Sequence, residues 1–144
     1  MTPKQANAYL GRPRGLRRKL LKEHEQLELL RSKLLPGSVR YDKERVQTSP
    51  VDSMLETYSE IDELERKFKV DIDTLLQIKE EVKETISTIP NSRYQEVLMK
   101  YFYWGFSIAD IADDYGITTR HCFRLKNQAI DLLCEIVNKE QGHV

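Results

Sequence analysis

The chain has 144 residues, room for one ordinary domain or two small ones, and its 23 basic residues balance 23 acidic ones. A zero net charge argues against a uniformly basic nucleic-acid binder. No apolar run is long enough to span a bilayer, and the basic N-terminus lacks the apolar stretch of a signal peptide, so a cytoplasmic protein is expected. The balance hides a sorting of charge along the chain: residues 1–22 carry seven Lys or Arg and no acid, residues 52–89 carry eleven acids against five bases, and residues 118–128 carry three bases and no acid. Only some surfaces can therefore approach phosphates. Two cysteines, twelve residues apart with no Cys-x-x-Cys and no nearby His pair, give neither a metal site nor a disulfide framework and read as small core residues.

In chain order, Pro3, Gly11, Pro13 and Gly15 among basic residues predict a flexible basic arm over residues 1–15. Leu16, Leu20, Leu27, Leu30 and Leu34 recur at helical spacing, and Pro36-Gly37 is expected to close that helix before a polar connection from Ser38 to Thr48. Ser49-Pro50-Val51-Asp52 predicts a new helix, with Ser49 as N-cap, proline at the first position where its missing N–H costs nothing, and an acid in the first turn.

That helix is expected to run to Ile89, because neither proline nor glycine interrupts it. Met54, Tyr58, Ile61, Phe68, Ile72, Leu75, Val82, Ile86 and Ile89 fall on alternating steps of four and three, a heptad seam broken only by Glu65 and Lys79. At 1.5 Å per residue it spans roughly 55 Å, more than one 20-residue helix can cover. The economical expectation is a homodimer through Tyr58, Ile61, Phe68, Ile72, Leu75, Val82 and Ile86. The alternative is an intramolecular antiparallel hairpin in which Leu16–Leu35 covers part of the seam. Residues 16–89 are thus read as a helical hairpin or coiled-coil oligomerisation region.

Pro90-Asn91-Ser92 breaks the helix, and Ser92 with Gln95 predicts a capping box for a support helix whose apolar face is Tyr94, Val97, Leu98, Tyr101 and Phe102. Next comes Ser107-Ile108-Ala109-Asp110-Ile111-Ala112, then Tyr115-Gly116-Ile117-Thr118, then a helix from Thr119. Ala112 is small where two helices must approach, Gly116 can take the positive φ of a tight turn, and Ser107 and Thr118 are hydroxyl caps. Residues 90–144 therefore predict a three-helix unit ending in a helix-turn-helix, and the whole chain an all-α protein.

The span Arg93–Leu133 resembles region four of bacterial sigma factors, the module that reads the minus-35 promoter element. The resemblance rests on Arg93-x4-Leu98-x2-Tyr101, Ser107-Ile108-Ala109-Asp110-Ile111-Ala112, Gly116-Ile117-Thr118 and Ala129-Ile130. Val46-Gln47-Thr48-Ser49-Pro50-x-Asp52, followed by a long acidic helix, is similar to small phage-encoded regulators of the RinA and ArpU type, which are implicated in activating late genes. Where sigma modules commonly carry Arg-Glu near the start of the recognition helix this chain has Thr119-Arg120, which implies a different operator.

If Cys122, Leu125, Ala129 and Leu132 face inward, then Thr119, Arg120, Phe123, Arg124 and Asn127 face a major groove. Arg120 and Arg124 suit the O6 and N7 acceptors of guanine, and Phe123 suits either a thymine methyl or a neighbouring helix. Ser107, Thr118 and Lys126 are expected at phosphates. The expected function is sequence-specific regulation of transcription on double-stranded DNA. The alternatives are a DNA-packaging subunit of the small-terminase kind and an adaptor whose acidic helix touches RNA polymerase or a sigma factor. No phosphate loop, metal-ligand spacing or nucleophile–base pair is recognisable, so no enzyme, metal or cofactor is expected.

Overall fold

The structure, a computed structural model, describes residues 1–35 and 49–141. Every regular element among them is helical: α1 (Pro3–Leu10), α2 (Arg12–Ser32), α3 (Pro50–Ile86), α4 (Ser92–Leu98) running into a π-helical turn (Met99–Tyr103), α5 (Ile108–Tyr115) and α6 (Thr119–Gln141). The expected close of the second helix at Pro36-Gly37 and the connection Ser38–Thr48 lie outside the described residues. The helices divide between two units, one formed by Met1–Leu16 with the described residues from Leu75 onward, the other by Arg17–Thr74. This division cuts across the boundary expected at residues 89 and 90.

The first correction is the N-terminal arm. Residues 3–10 are helical because Thr2 and Gln5 form a reciprocal capping box and Pro3 occupies the first turn, where no N–H is needed. Pro13 likewise sits in the first turn of α2, and the joint between the helices is Gly11 alone. Residues that break helices in their interiors thus start them here. Ala6 and Leu10 are buried in a core shared with Val82, Ile86 and Ile89 of the α3 end, Leu98, Phe102, and Ala129, Ile130, Leu133 and Cys134 of α6. Arg12 reinforces this packing by pairing with Glu81 at 2.9 Å.

In the unit Arg17–Thr74, α2 and α3 run antiparallel. Lys19 pairs with Asp71 at 3.3 Å, Glu23 with Lys67 at 4.0 Å and Arg31 with Glu65 at 2.8 Å, so positions climb on one helix as they fall on the other. This is the intramolecular hairpin. Ser49 caps α3 as expected, its Oγ accepting from the Asp52 N–H at 3.0 Å. The buried line of α3 here is Ser53, Thr57 and Ile61, continued by half-buried Leu64, Phe68 and Asp71. Thr57 can be buried because its hydroxyl donates to the Ser53 carbonyl at 3.0 Å. A heptad count led by apolarity selects Met54, Tyr58 and Ile72, each one position past a residue of the covered stripe and each exposed. Glu23 is buried against Asp71; burial first, and then that neighbouring carboxyl, pushes its pKa up.

At the start of α4 the cap is Asn91, whose Oδ1 accepts from the N–H groups of Arg93 and Tyr94 at 3.0 and 3.2 Å. The box expected from Ser92 and Gln95 does not form. Gln95 instead donates to the Ser87 and Ile89 carbonyls, satisfying the frayed end of α3, which stops at Ile86. The π turn adds a residue to the register, placing Phe102 in the core while Trp104 is 58% exposed.

Between α5 and α6, Gly116 adopts φ +67°, and the N–H of Ile117 reaches back to the Ala112 carbonyl at 3.0 Å. A Cβ at Gly116 would meet nothing within 4 Å, so the cost of a side chain there is backbone strain alone. Gly116→Val is expected to destabilise the C-terminal unit by about 1–2 kcal/mol or somewhat more, since β-branching adds to the left-handed penalty. Thermal melts of Gly116→Val and Gly116→Ala check this: both should fall below wild type, valine further. An unchanged melt for valine contradicts the strained turn.

Candidate nucleic-acid interface

The two helices of the candidate motif are fixed at their ends by their own sequence. Ser107 Oγ accepts from the Asp110 N–H at 3.1 Å to start α5, and Thr118 Oγ1 accepts from the His121 N–H at 3.1 Å to start α6. Ile111, Ala112 and Cys122 are buried at the crossing, with Ile108, Tyr115, Ile117 and Tyr101 packed around them. Ala112 therefore stands where its small side chain was expected to matter, and half-buried Tyr115 and Ile117 flank the turn and pack against that crossing. Lys100 of the π turn contacts Asp114 and lies 3.8 Å from Glu96. The hydrogen bond that Lys100 donates to the Asp114 carboxylate chiefly raises the Lys100 pKa, so this ammonium is held by α5 rather than offered to solvent.

On α6 the inward line is Cys122, Lys126, Ala129, Ile130, Leu133 and Cys134, with Leu125 and Leu132 half-buried at its edges. Both cysteines are free and buried, and burial raises both thiol pKa values. Thr119, Arg120, Phe123, Arg124 and Asn127 are all exposed. They recur at steps of three and four over the first turns of α6, so they share one face. Neither Arg120 nor Arg124 has a hydrogen-bonding or ionic partner among the described residues. Phe123 is 51% exposed, a large apolar ring on the same face of α6 as the two arginines. Ser107 and Thr118 are exposed, and each hydroxyl that accepts a capping bond still has its own O–H to donate.

Lys126 departs from expectation. It is 7% exposed, four residues after Cys122 on the inward line, and its Nζ lies 4.4 Å from the Tyr101 ring centroid, 5.0 Å from Phe123 and 5.8 Å from Phe102. Its charge alone suggests a phosphate contact. The helical period instead buries it, and aromatic faces accept the cation. Burial first, and then the nearby Arg14 charge, lower its pKa. A lysine whose folded pKa is depressed binds fewer protons folded than unfolded, so this penalty is full below the depressed value. It fades as pH rises towards the ordinary lysine range. Lys126→Met is therefore expected to leave stability at neutral pH equal or higher and to remove the alkaline gain seen in wild type. Denaturant titrations of both proteins between pH 7 and 10.5 measure the difference; a Met variant less stable throughout overturns the argument.

Arg14 was overlooked by sequence reasoning, which gave it only a share of a basic arm's charge. Its guanidinium donates to the carbonyls of Tyr101 at 3.0 Å and Phe106 at 3.2 Å and stacks over the Tyr101 ring at 4.1 Å. It thereby holds the segment that leads into Ser107. No local pattern in residues 1–15 signals this role, because its partners lie 87 and 92 residues away.

Among the described residues no group of three or more His, Cys, Asp or Glu is placed to hold a metal, and no helix is long and apolar enough to cross a membrane. No protein-family model, curated protein or solved structure matches the chain.

Proposed function

We propose that this protein binds double-stranded DNA sequence-specifically as a transcription regulator, with α6 entering the major groove. A phage or prophage late-gene set is the proposed target, and a homodimer the proposed working form. The observation that supports this reading most is the exposed row of Thr119, Arg120, Phe123, Arg124 and Asn127 at the start of a helix that follows a capped, glycine-closed turn. Two arginines one turn apart supply bidentate donors for guanine, and the exposed Phe123 ring supplies an apolar contact for a thymine methyl. Ser107 and Thr118, at the two helix starts, are suited to phosphate oxygens that set register without carrying sequence.

The test is selection of bound sites from random duplex DNA by the full chain. Enrichment of one motif containing guanine, lost when Arg120 and Arg124 are both replaced by alanine, is the expected outcome. No enrichment, or a closed ring of many subunits binding without preference, counts against the regulator and for a packaging subunit.

A further inference from the structure

Beside the stripe of α3 that α2 covers lies a second pattern, all of it within Arg17–Thr74. Tyr58 and Ile72 are exposed, at 53% and 36%, fourteen residues apart, and Met54 lies exposed one turn before Tyr58. Glu65 stands midway between Tyr58 and Ile72, and steps of seven keep all three on nearly one line along the helix. Apart from Asp71, which is half-buried and paired with Lys19, the charges between the two apolar ends are acidic up to Glu65 and basic after it. On and beside the line, Asp62 and Glu65 are the acids and Arg66 and Lys69 the bases, and all four are exposed.

We propose that this face docks on the same face of a second copy of the chain in antiparallel orientation, with the two-fold axis passing beside Glu65 and Arg66. Under that symmetry Tyr58 of each copy meets Ile72 of the other, Asp62 meets Lys69, and Glu65 meets Arg66. The patch is self-complementary, as a two-fold contact requires. A parallel, in-register dimer through the same residues sets Asp62 on Asp62, Glu65 on Glu65 and Lys69 on Lys69, and like charges directly opposed disfavour it. Near the axis the two Glu65 carboxylates approach each other. Each already binds Arg31 of its own chain at 2.8 Å, and Arg66 of the other copy adds a second cation. The pair Arg66–Asp62, one helical turn apart in the same chain, is exposed and therefore cheap to rearrange.

The inference rests on the self-association proposed above and adds its polarity; it does not depend on DNA binding. Cys122 and Cys134 are buried, so wild type is a clean background for surface cysteines. Glu65→Cys, Tyr58→Cys and Ile72→Cys are made separately in the full chain, each at an exposed site, and treated with a short bis-maleimide. Glu65→Cys alone is expected to give a covalent dimer. Tyr58→Cys and Ile72→Cys alone are expected to give none, because each lies about 21 Å along the axis from its own copy. Co-refolded together, those two variants should cross-link to each other. Dimers from all three variants alone establish a parallel contact and overturn the proposal. So does a wild-type mass of one chain in solution, or a dimeric mass with no Glu65→Cys product. A single-chain mass with selective DNA binding intact removes the dimer and leaves the DNA reading standing.

Discussion

Phe102→Ala should cost about 3–5 kcal/mol, the range for a large aromatic truncated in a close-packed core. Phe102 is 2% exposed and belongs to the same core as Leu10 of α1, Val82 and Ile86 of α3, and Ile130 and Leu133 of α6. Its ring stands edge-on to Tyr101 at 4.8 Å, and the Lys126 ammonium lies 5.8 Å from it. Truncation thus opens a cavity and also removes one of the faces that shelter a buried cation. The comparison that isolates burial is Trp104→Ala, two residues on, outside the π turn and 58% exposed, where at most about 1 kcal/mol is expected. Midpoints of denaturant unfolding, at unchanged slope, report both. Equal losses mean that the register of the π turn is not the one described.

That register also marks the limit of what the sequence discloses. Tyr101 and Phe102 were legible as the inward rings of the run Tyr101-Phe102-Tyr103-Trp104, but the π turn that carries them was not. No periodicity announces its inserted residue. The two helices and the turn of the C-terminal motif were legible, because their determinants are local: two hydroxyl caps, one glycine at φ +67° and one small residue at the crossing. The arm was misread because proline and glycine carry opposite meanings at a helix start and in its interior, and only Ala6 and Leu10 meeting a distant core decide between them. The oligomerisation seam was legible as a seam but not as to its partner. Ile61, Val82 and Ile86 are buried within the chain itself, Phe68 and Leu75 are half-buried, and only Tyr58 and Ile72 of the expected set remain open. A heptad count ranks side chains by apolarity, whereas Ser53, Thr57 and Asp71 share the covered stripe by position.

The exposed row on α6 makes the sharpest functional prediction. Arg120→Ala, and separately Arg124→Ala, should each cost about 1–3 kcal/mol on the selected site and relax preference at one base pair, since a bidentate donor pair is lost from a specific base edge. Both side chains are exposed and without partners among the described residues, so their removal should leave the melting temperature within a degree or two of wild type. Lys126→Met is the contrasting variant. A lysine that touched phosphate would, once removed, weaken every duplex alike and lower the slope of log affinity against log salt by about one. Lys126 is buried among Tyr101, Phe102 and Phe123, so the salt slope of Lys126→Met should equal that of wild type. The measurement is a titration of each variant against selected and scrambled duplexes at several salt concentrations. Selective loss for the arginine variants with an unchanged slope for Lys126→Met fits a reading helix that carries sequence on one face and its own core on the other. Equal losses on both duplexes for the arginine variants reduce α6 to an electrostatic contact, and the regulator then gives way to a packaging subunit or a protein adaptor.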